Sequence, residues 1–265
     1  MKFSKKLLLS VILFALTISC FAWWGPTGHR VVGEIAENHL TRKARKAVHE
    51  ILGTESLGMA TTWADFVRAD TAFNYLASWH YINLKMGLNY DEFKTTLEKD
   101  SAVDAYTKLN FLVAELKNRS LEPDKKLMYL RLLIHIAGDI HQPMHVSRAE
   151  DQGGNKIRVM WFSDSTNLHS VWDEKMIEQQ KLSYTEYAAS LDHTTKEQRK
   201  EWQSQPMVQW FYDSYKIAGQ LYSEITKPYQ KLSFRYNFDH IATVNEQLLK
   251  GGVHLAGLLN EIFNQ

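Results

Sequence analysis

Imidazoles and carboxylates recur along this 265-residue chain at spacings that suit a cluster of divalent cations. The candidate ligands are Trp24, His29, Asp65, His80, His135, Asp139, His145, His169 and Asp173. The densest piece, His135-Ile-Ala-Gly-Asp139-Ile-His-Gln-Pro-Met-His145, closes a largely apolar stretch from Leu127 to Ile136. In such surroundings even a neutral polar group without a partner costs roughly 2–7 kcal/mol. A divalent cation offsets that cost, and imidazole with carboxylate is the donor set zinc takes when no thiolate is at hand. Clustered zinc in turn predicts a reaction, because it makes a nucleophile of water at neutral pH.

Positions four apart on a helix stand one above the other, so His135 and Asp139 present an imidazole and a carboxylate to one point. Pro143 then stops the helix and turns the chain, which brings His145 back towards the same cavity. Asn167-Leu-His169-Ser-Val-Trp-Asp173 repeats the His-x-x-x-Asp spacing on a second helix. Upstream, Thr62-Trp-Ala-Asp65-Phe-Val-Arg68 sets an acid and an arginine one turn apart, and Trp79-His80-Tyr-Ile-Asn83 adds an imidazole beside aromatic and amide groups. Taken singly, each piece has a plainer reading as a capped pair, a core-edge salt bridge or a satisfied core histidine. Taken together they describe carboxylates that neutralise several dications and an arginine that holds an anionic substrate.

The elements that must position these groups are mostly helical. Apolar residues Val31, Val32, Ile35, Ala36 and Leu40 recur at helical spacing from Gly28 to Leu40, with Pro26 and Thr27 placed to start the helix and His29 on its first turn. The same period runs through Thr41–Leu52, Asp104–Leu116, Asp124–Ile140, Val208–Ile225 and Val244–Ile262, with turns at Gly53, Pro123, Pro143 and Pro228. One strand signal stands out, Lys156-Ile-Arg-Val-Met-Trp-Phe162, which alternates after Gly153-Gly154 and predicts a small β-hairpin. Internal repeats, low-complexity tracts and linkers are not evident.

With 45% hydrophobic and 12% aromatic residues, the chain can bury a large core, and a single domain is expected. Met1-Lys-Phe-Ser-Lys-Lys followed by the apolar run Leu7–Leu16 is too short to span a membrane and reads as a secretory signal. The boundaries are a leader over 1–23, cut after Ala22 or Trp23, and one catalytic domain over 24–265. Export places the protein in the periplasm or outside the cell. The alternative is lipid anchoring at Cys20, although Leu16 stands one position too far from the cysteine for that signal. Loss of the leader removes three lysines and no acid, bringing the formal charge from +1 to −2. No overall basic field then exists for long-range capture of duplex nucleic acid. Cys20 is the one cysteine, so the mature chain must be stabilised by its core and by bound metal rather than by disulfides.

Several of these segments, in this order, resemble the S-one/P-one type of zinc-dependent nucleases: Trp24-Gly-Pro-Thr-Gly-His29, Trp63-Ala-Asp65, His80-Tyr-Ile-Asn83, His135 to His145, Gly153-Gly-Asn-Lys156 and Asn167-Leu-His169-Ser-Val-Trp-Asp173. The resemblance covers nearly the whole mature chain. It implies a mostly helical fold of the phospholipase C/nuclease type with three zinc ions in a cleft. It also implies cleavage of single-stranded DNA and RNA to 5′-nucleotides, with 3′-nucleotidase activity. Carried over by position, Asp65, His80, His135 and Asp139 hold one zinc. Trp24 and His29 hold a second with Asp139 bridging, and His145, His169 and Asp173 hold the third. In that family the tryptophan is the first mature residue and binds metal through its α-amine and carbonyl. Here Trp23-Trp24 leaves two possible termini, and cleavage after Trp23 restores the five-residue distance to His29.

The implied mechanism is attack of a metal-activated hydroxide on phosphorus. In it Asp65 orients the water, Asp139 bridges two metals, and Arg68 grips a non-bridging oxygen. For the substrate, Tyr81 stacks on an unpaired base, Asn83 hydrogen-bonds its edge and Asn155 walls the same pocket. The family's usual acceptor at position 83 is a carboxylate, so base preference is expected to differ. No stable protein partner is implied. Two rivals share these residues. One is a zinc-dependent phospholipase C, which has almost the same His-x-x-x-Asp-x-x-Gln-Pro-Met-His segment. The other is a non-catalytic metal- or nucleotide-binding protein, against which Arg68 argues. The remaining histidines, His39, His49, His141, His193, His240 and His254, are expected mostly at the surface or behind the ligands, with His141 directed to another face.

Overall fold

The computed structural model describes residues 25–264. Pro26 opens the first helix, Pro26–Asn38, at the position where its missing N–H costs nothing. Val31, Val32, Ile35 and Ala36 form its fully buried stripe. That stripe packs most extensively on the long C-terminal helix Phe234–Phe263. Thr41 caps the next helix, Arg42–Leu52, by accepting from the Ala44 N–H. Asp104 does the same for Ala105–Lys117. These helices, with Met207–Glu224, agree with the expected ones to within two residues at each end.

Pro123 begins the helix Pro123–Asp139. Its N-terminal turns are partly exposed, whereas every residue from Leu132 to Asp139 is buried. A helix apolar on all sides must lie inside the molecule, and this one carries His135 and Asp139 into the core. Chain reversal follows through the 3₁₀ turn Pro143–His145 into a short strand, Val146–Ser147. That strand pairs in parallel with Ile82–Asn83, which follows the 3₁₀ run Thr71–His80.

The expected hairpin is present as Arg158–Trp161 paired antiparallel with Asp164–Asn167. It is shorter than Lys156–Phe162, and a third strand, Gln230–Leu232, joins it in parallel. Beyond the hairpin, Leu168–Ser170 runs into a π-helical segment, Val171–Lys175, and then Met176–Glu178. Two departures from expectation concern length and number. The last helix starts ten residues before Val244, at Phe234, and helices Tyr90–Lys99, Tyr184–Leu191 and Lys196–Gln203 are additional. None of the described helices is long and apolar enough to cross a membrane.

Candidate metal centre

Asp139 stands at the middle of the site. One helical turn before it, His135 directs Nε2 to within 3.1 Å of Asp139 Oδ2. The His80 Nδ1 lies 2.9 Å from the same oxygen. The other oxygen, Oδ1, is 3.4 Å from both His29 Nε2 and His145 Nδ1. Asp65 projects from the short helix Trp63–Phe66, with Oδ1 3.7 Å from His135 Nε2 and Oδ2 4.0 Å from His29 Nε2. The His29 ring stacks on that of His135 at 3.9 Å. Next to this group, His145 Nε2 and His169 Nε2 approach the two oxygens of Asp173 at 3.5 and 3.3 Å. His29, His80, His135, Asp139 and Asp173 are fully buried, and His145 and His169 nearly so.

Three sets of donor atoms each gather within 4.8 Å: His80, His135 and Asp139; His29, Asp65 and His135; and His145, His169 and Asp173. Donors about 2.0–2.2 Å from a tetrahedral zinc stand roughly 3.4 Å from one another, the separation found between these side chains. Three imidazoles are also held by their outer nitrogens. The Nδ1–H groups of His135, His145 and His169 donate to the carbonyls of Thr61 (2.6 Å), His80 (2.8 Å) and Gly153 (2.6 Å). Such bonds fix the tautomer and leave Nε2 facing inward as a ligand. Gln142 gives the same kind of support to a carboxylate, donating from Nε2 to Asp173 Oδ1 at 2.8 Å.

A cation fits this donor set on two further grounds. Among the described residues, both ring nitrogens of His29, Asp65 Oδ1, Asp139 Oδ1, His169 Nε2 and Asp173 Oδ2 are buried without a hydrogen-bond partner. Each such atom costs about 1–3 kcal/mol unless something binds it. Moreover, His135 Nε2 and His80 Nδ1 stand only 2.9 Å apart, and two imidazole nitrogens at that distance need a proton or a metal between them.

Electrostatics lead to the same place. Burial opposes a charge on His135, yet Asp139 and Asp65 outweigh it and lift its pKa to about 9. Burial likewise opposes a charge on Asp139, and the neighbouring His135 and His145 overcome it and hold the carboxyl well below its usual range. Burial lowers His80 to about 4, and lowers His29 with help from His135. In the chain alone, therefore, a proton on His135 supplies positive charge that the carboxylates demand, and the same carboxylates raise His145 against its burial. Divalent ions fill the same requirement more completely.

Arg68 borders the cluster, its Nη1 3.8 Å from Asp65 Oδ1. Tyr81 is 36% exposed and alternates with buried Ile82 and exposed Asn83, so Tyr81 and Asn83 point outward on one face of the strand. The Asn155 amide instead donates within its own loop, to Gln152 O at 2.9 Å. Trp23 and Trp24 lie outside the described residues. Gly25, the first described residue, is buried, and its N–H donates to Asp173 O at 2.8 Å. His141 faces away from the cluster, as its spacing predicts, and its Nε2 pairs with His254 Nδ1 at 2.7 Å.

Sequence reasoning did not anticipate the carbonyls of Thr61 and Gly153, the Gln142 amide, or Gly138. Gln142 and Gly138 lie inside the His135–His145 segment, and Gly153 belongs to the glycine pair that announced the hairpin. Thr61 carries no signal of its own.

A helical domain that buries clustered imidazoles and carboxylates, with an arginine at the border, has the donor set and the anion-binding group of a metal-dependent hydrolase. The chain belongs to the S1/P1 nuclease family, whose family model matches residues 24–264. It is thus an endonuclease, a phosphodiester hydrolase with nucleic acid as its substrate. Among relatives, the chain is 29% identical to Endonuclease 2 of Arabidopsis thaliana over 269 residues, covering 91% of this chain and 90% of that protein. Nuclease P1 of Penicillium citrinum is 28% identical over 271 residues, 90% of this chain and 97% of the relative. Nuclease S1 of Aspergillus oryzae is 32% identical over 172 residues, 61% of this chain and 57% of the relative.

Proposed function

We propose that the protein is an exported, three-zinc enzyme that hydrolyses single-stranded DNA and RNA to 5′-nucleotides and also removes phosphate from 3′-nucleotides. Asp65, His80, His135 and Asp139 hold one zinc, and His145, His169 and Asp173 hold another. His29 and Trp24 hold the remaining one, with Asp139 shared between two sites. The single observation that carries this reading is the position of Asp139, with one oxygen within 3.1 Å of His80 and His135 and the other 3.4 Å from His29. Residues 1–23 act as the leader and 24–265 as the enzyme. Gly25 supports this division, since the backbone that follows the proposed terminus bonds to Asp173, a proposed ligand.

Bound zinc supplies Lewis acidity and brings the pKa of water towards neutrality. Around it, Asp65 would accept a hydrogen bond from the attacking water, and Asp139 would offer one oxygen to the His80 and His135 group and the other to the His29 side. Arg68 donates to a non-bridging phosphate oxygen, an interaction that strengthens as negative charge builds. Tyr81 and Asn83, outward on one strand face, take an unpaired base, which favours single strands whose bases are free to splay.

Zinc-loaded protein incubated with denatured DNA, RNA, a 3′-nucleotide and phosphatidylcholine tests the proposal. The expected products are 5′-mononucleotides from the polymers and phosphate from the 3′-nucleotide. Release of diacylglycerol, or absence of cleavage at full metal content, overturns it. Mass spectrometry of the exported protein is expected to find Trp24 at the terminus.

A further inference from the structure

A second feature of the surface has a charge pattern suited to the same polymer. A cleft of about 350 Å³ is lined by Arg148, Lys156, Arg158, Lys227, Tyr222 and Tyr229. Four cations in one cleft are unexpected on a chain whose formal charge is only +1 and which carries almost as many acids as bases. Two acids border the group: Glu150, whose charge reaches Arg148, and Asp151, which is already committed. It accepts from Arg148 Nε at 2.5 Å, from the Tyr222 hydroxyl at 3.1 Å and from the Gly154 N–H at 2.7 Å. Lys156, Arg158 and Lys227 are exposed. The guanidinium of Arg148 lies over the Tyr222 ring at 3.9 Å, which fixes its position.

Tyr229 supplies a different chemistry. It is 57% exposed and sits in the left-handed region with φ of 55°, an uncommon conformation for a tyrosine. Its N–H donates to Arg158 O at 2.7 Å, where the strand Gln230–Leu232 joins the hairpin. Strained backbone of this kind persists only where its surroundings enforce it, and such residues concentrate at ligand sites. An exposed aromatic ring beside a row of cations is the arrangement that grips an unpaired strand, through phosphates on the cations and a base on the ring.

The cleft connects with the metal centre through one loop. Arg148 follows strand Val146–Ser147, which itself follows His145. The loop from Arg148 to Ile157 is held by Asp151 on the cleft side and orients His169 through Gly153 O on the other. We propose that this cleft is a distal subsite for single-stranded nucleic acid, binding the phosphodiester backbone on Arg158, Lys156 and Lys227 and a base on Tyr229. The inference rests on the proposed single-strand activity and adds to it a preference for long substrates.

The test pairs the double variant Arg158→Glu/Lys227→Glu with the milder Lys227→Gln, both in the metal-loaded chain. Binding is read by fluorescence anisotropy on a single-stranded phosphorothioate oligomer of about twenty nucleotides, and turnover is compared on a long oligomer and a dinucleotide. The double variant is expected to weaken oligomer binding at low salt roughly tenfold or more, and to reduce the slope of log K against log salt by about 1.4, the value for two lost phosphate contacts. Lys227→Gln should reduce it by about 0.7. KM is expected to rise for the long substrate with kcat held, while the dinucleotide changes less than about twofold. Unaltered binding and salt slope in both variants overturn the subsite, as does an equal loss on long and short substrates. Cleft-dependent binding by a protein that cleaves nothing supports the subsite and overturns the proposed activity instead.

Discussion

The imidazole of His29 lies against Gly138: a Cβ built on that glycine stands 3.0 Å from His29 Nδ1. The central helix thus omits a side chain at the one place, between His135 and Asp139, where another helix must deliver a ring. His29 has no room to retreat, because it is fully buried and stacked on His135. Gly138→Ala sets a helix-propensity gain of about 1 kcal/mol against an overpacking cost of about 1–3 kcal/mol. The expected result is a metal-loaded Tm lower than that of the unsubstituted protein and a reduced zinc content. A higher Tm at full metal content means that His29 is free to move.

Asp139→Asn keeps the shape of the proposed shared ligand and removes its charge. Activity on denatured DNA is expected to fall by at least about 10²–10³-fold, and metal analysis should find less zinc per chain. Retained activity with the full complement of metal rules out Asp139 as the bridge.

The proton on His135 gives a pH test of the metal-free chain. Its folded pKa of about 9 is above the ordinary 6.5, so the stabilisation is full below 6.5 and disappears as pH rises towards 9. Asp139 is depressed, so its contribution is present above 3.8 and is lost only as pH falls well below that. Zinc needs His135 unprotonated and gains affinity over the same upper window. The difference in Tm between loaded and chelated protein is therefore expected to widen from pH 6.5 to 9. A constant or narrowing difference contradicts this. Zinc added near neutral pH in weak buffer should also release protons.

Gly153 has φ of +61°, and a Cβ on it would stand 2.5 Å from Met144 O. Gly153→Ala is expected to strain the backbone by about 1–3 kcal/mol and to displace the carbonyl that orients His169. Metal affinity at the His145, His169 and Asp173 site should fall about 10–100-fold, as is usual when a ligand loses its outer hydrogen bond. Gly53→Ala is the comparison, since Gly53 has φ of +68° with open space around it. That change should lower Tm while leaving zinc content unaltered.

Arg68→Lys keeps a charge 3.8 Å from Asp65 but loses the planar fork that matches a phosphate. A fall of about 10²-fold in kcat, with zinc content intact and a smaller change in KM, is the expected signature of a contact made mainly in the transition state. A change confined to KM assigns Arg68 to binding alone.

How far the site was legible depended on whether a spacing is local. His135 and Asp139 belong to one helix, so their period alone sets them on one face, and Gly153-Gly154 before an alternating run announced the hairpin. Asn89 with Glu92 and Ser183 with Glu186 form capping boxes that begin two helices absent from the expected set, a signal present in the chain and not taken up. The π-helical segment at Val171–Lys175, the third strand at Gln230–Leu232 and the Thr61 carbonyl behind His135 have no such local mark. They arise from tertiary packing, which a linear pattern does not encode. Phe234 and Phe238 are more than two-thirds exposed, so the apolar period that betrays the end of the last helix is blurred at its start.

The parallel pairing of Ile82–Asn83 with Val146–Ser147 joins the segment that ends in His80 to the one that begins after His145. Two residues on each side contribute little by themselves, and the partners are more than sixty residues apart in the chain. A nascent polypeptide emerging from the ribosome therefore lacks a finished centre until Asp173 has been synthesised. On the proposed ligand assignment, the armament of this degradative enzyme is assembled late, and its last piece is added only when nearly two-thirds of the molecule exists.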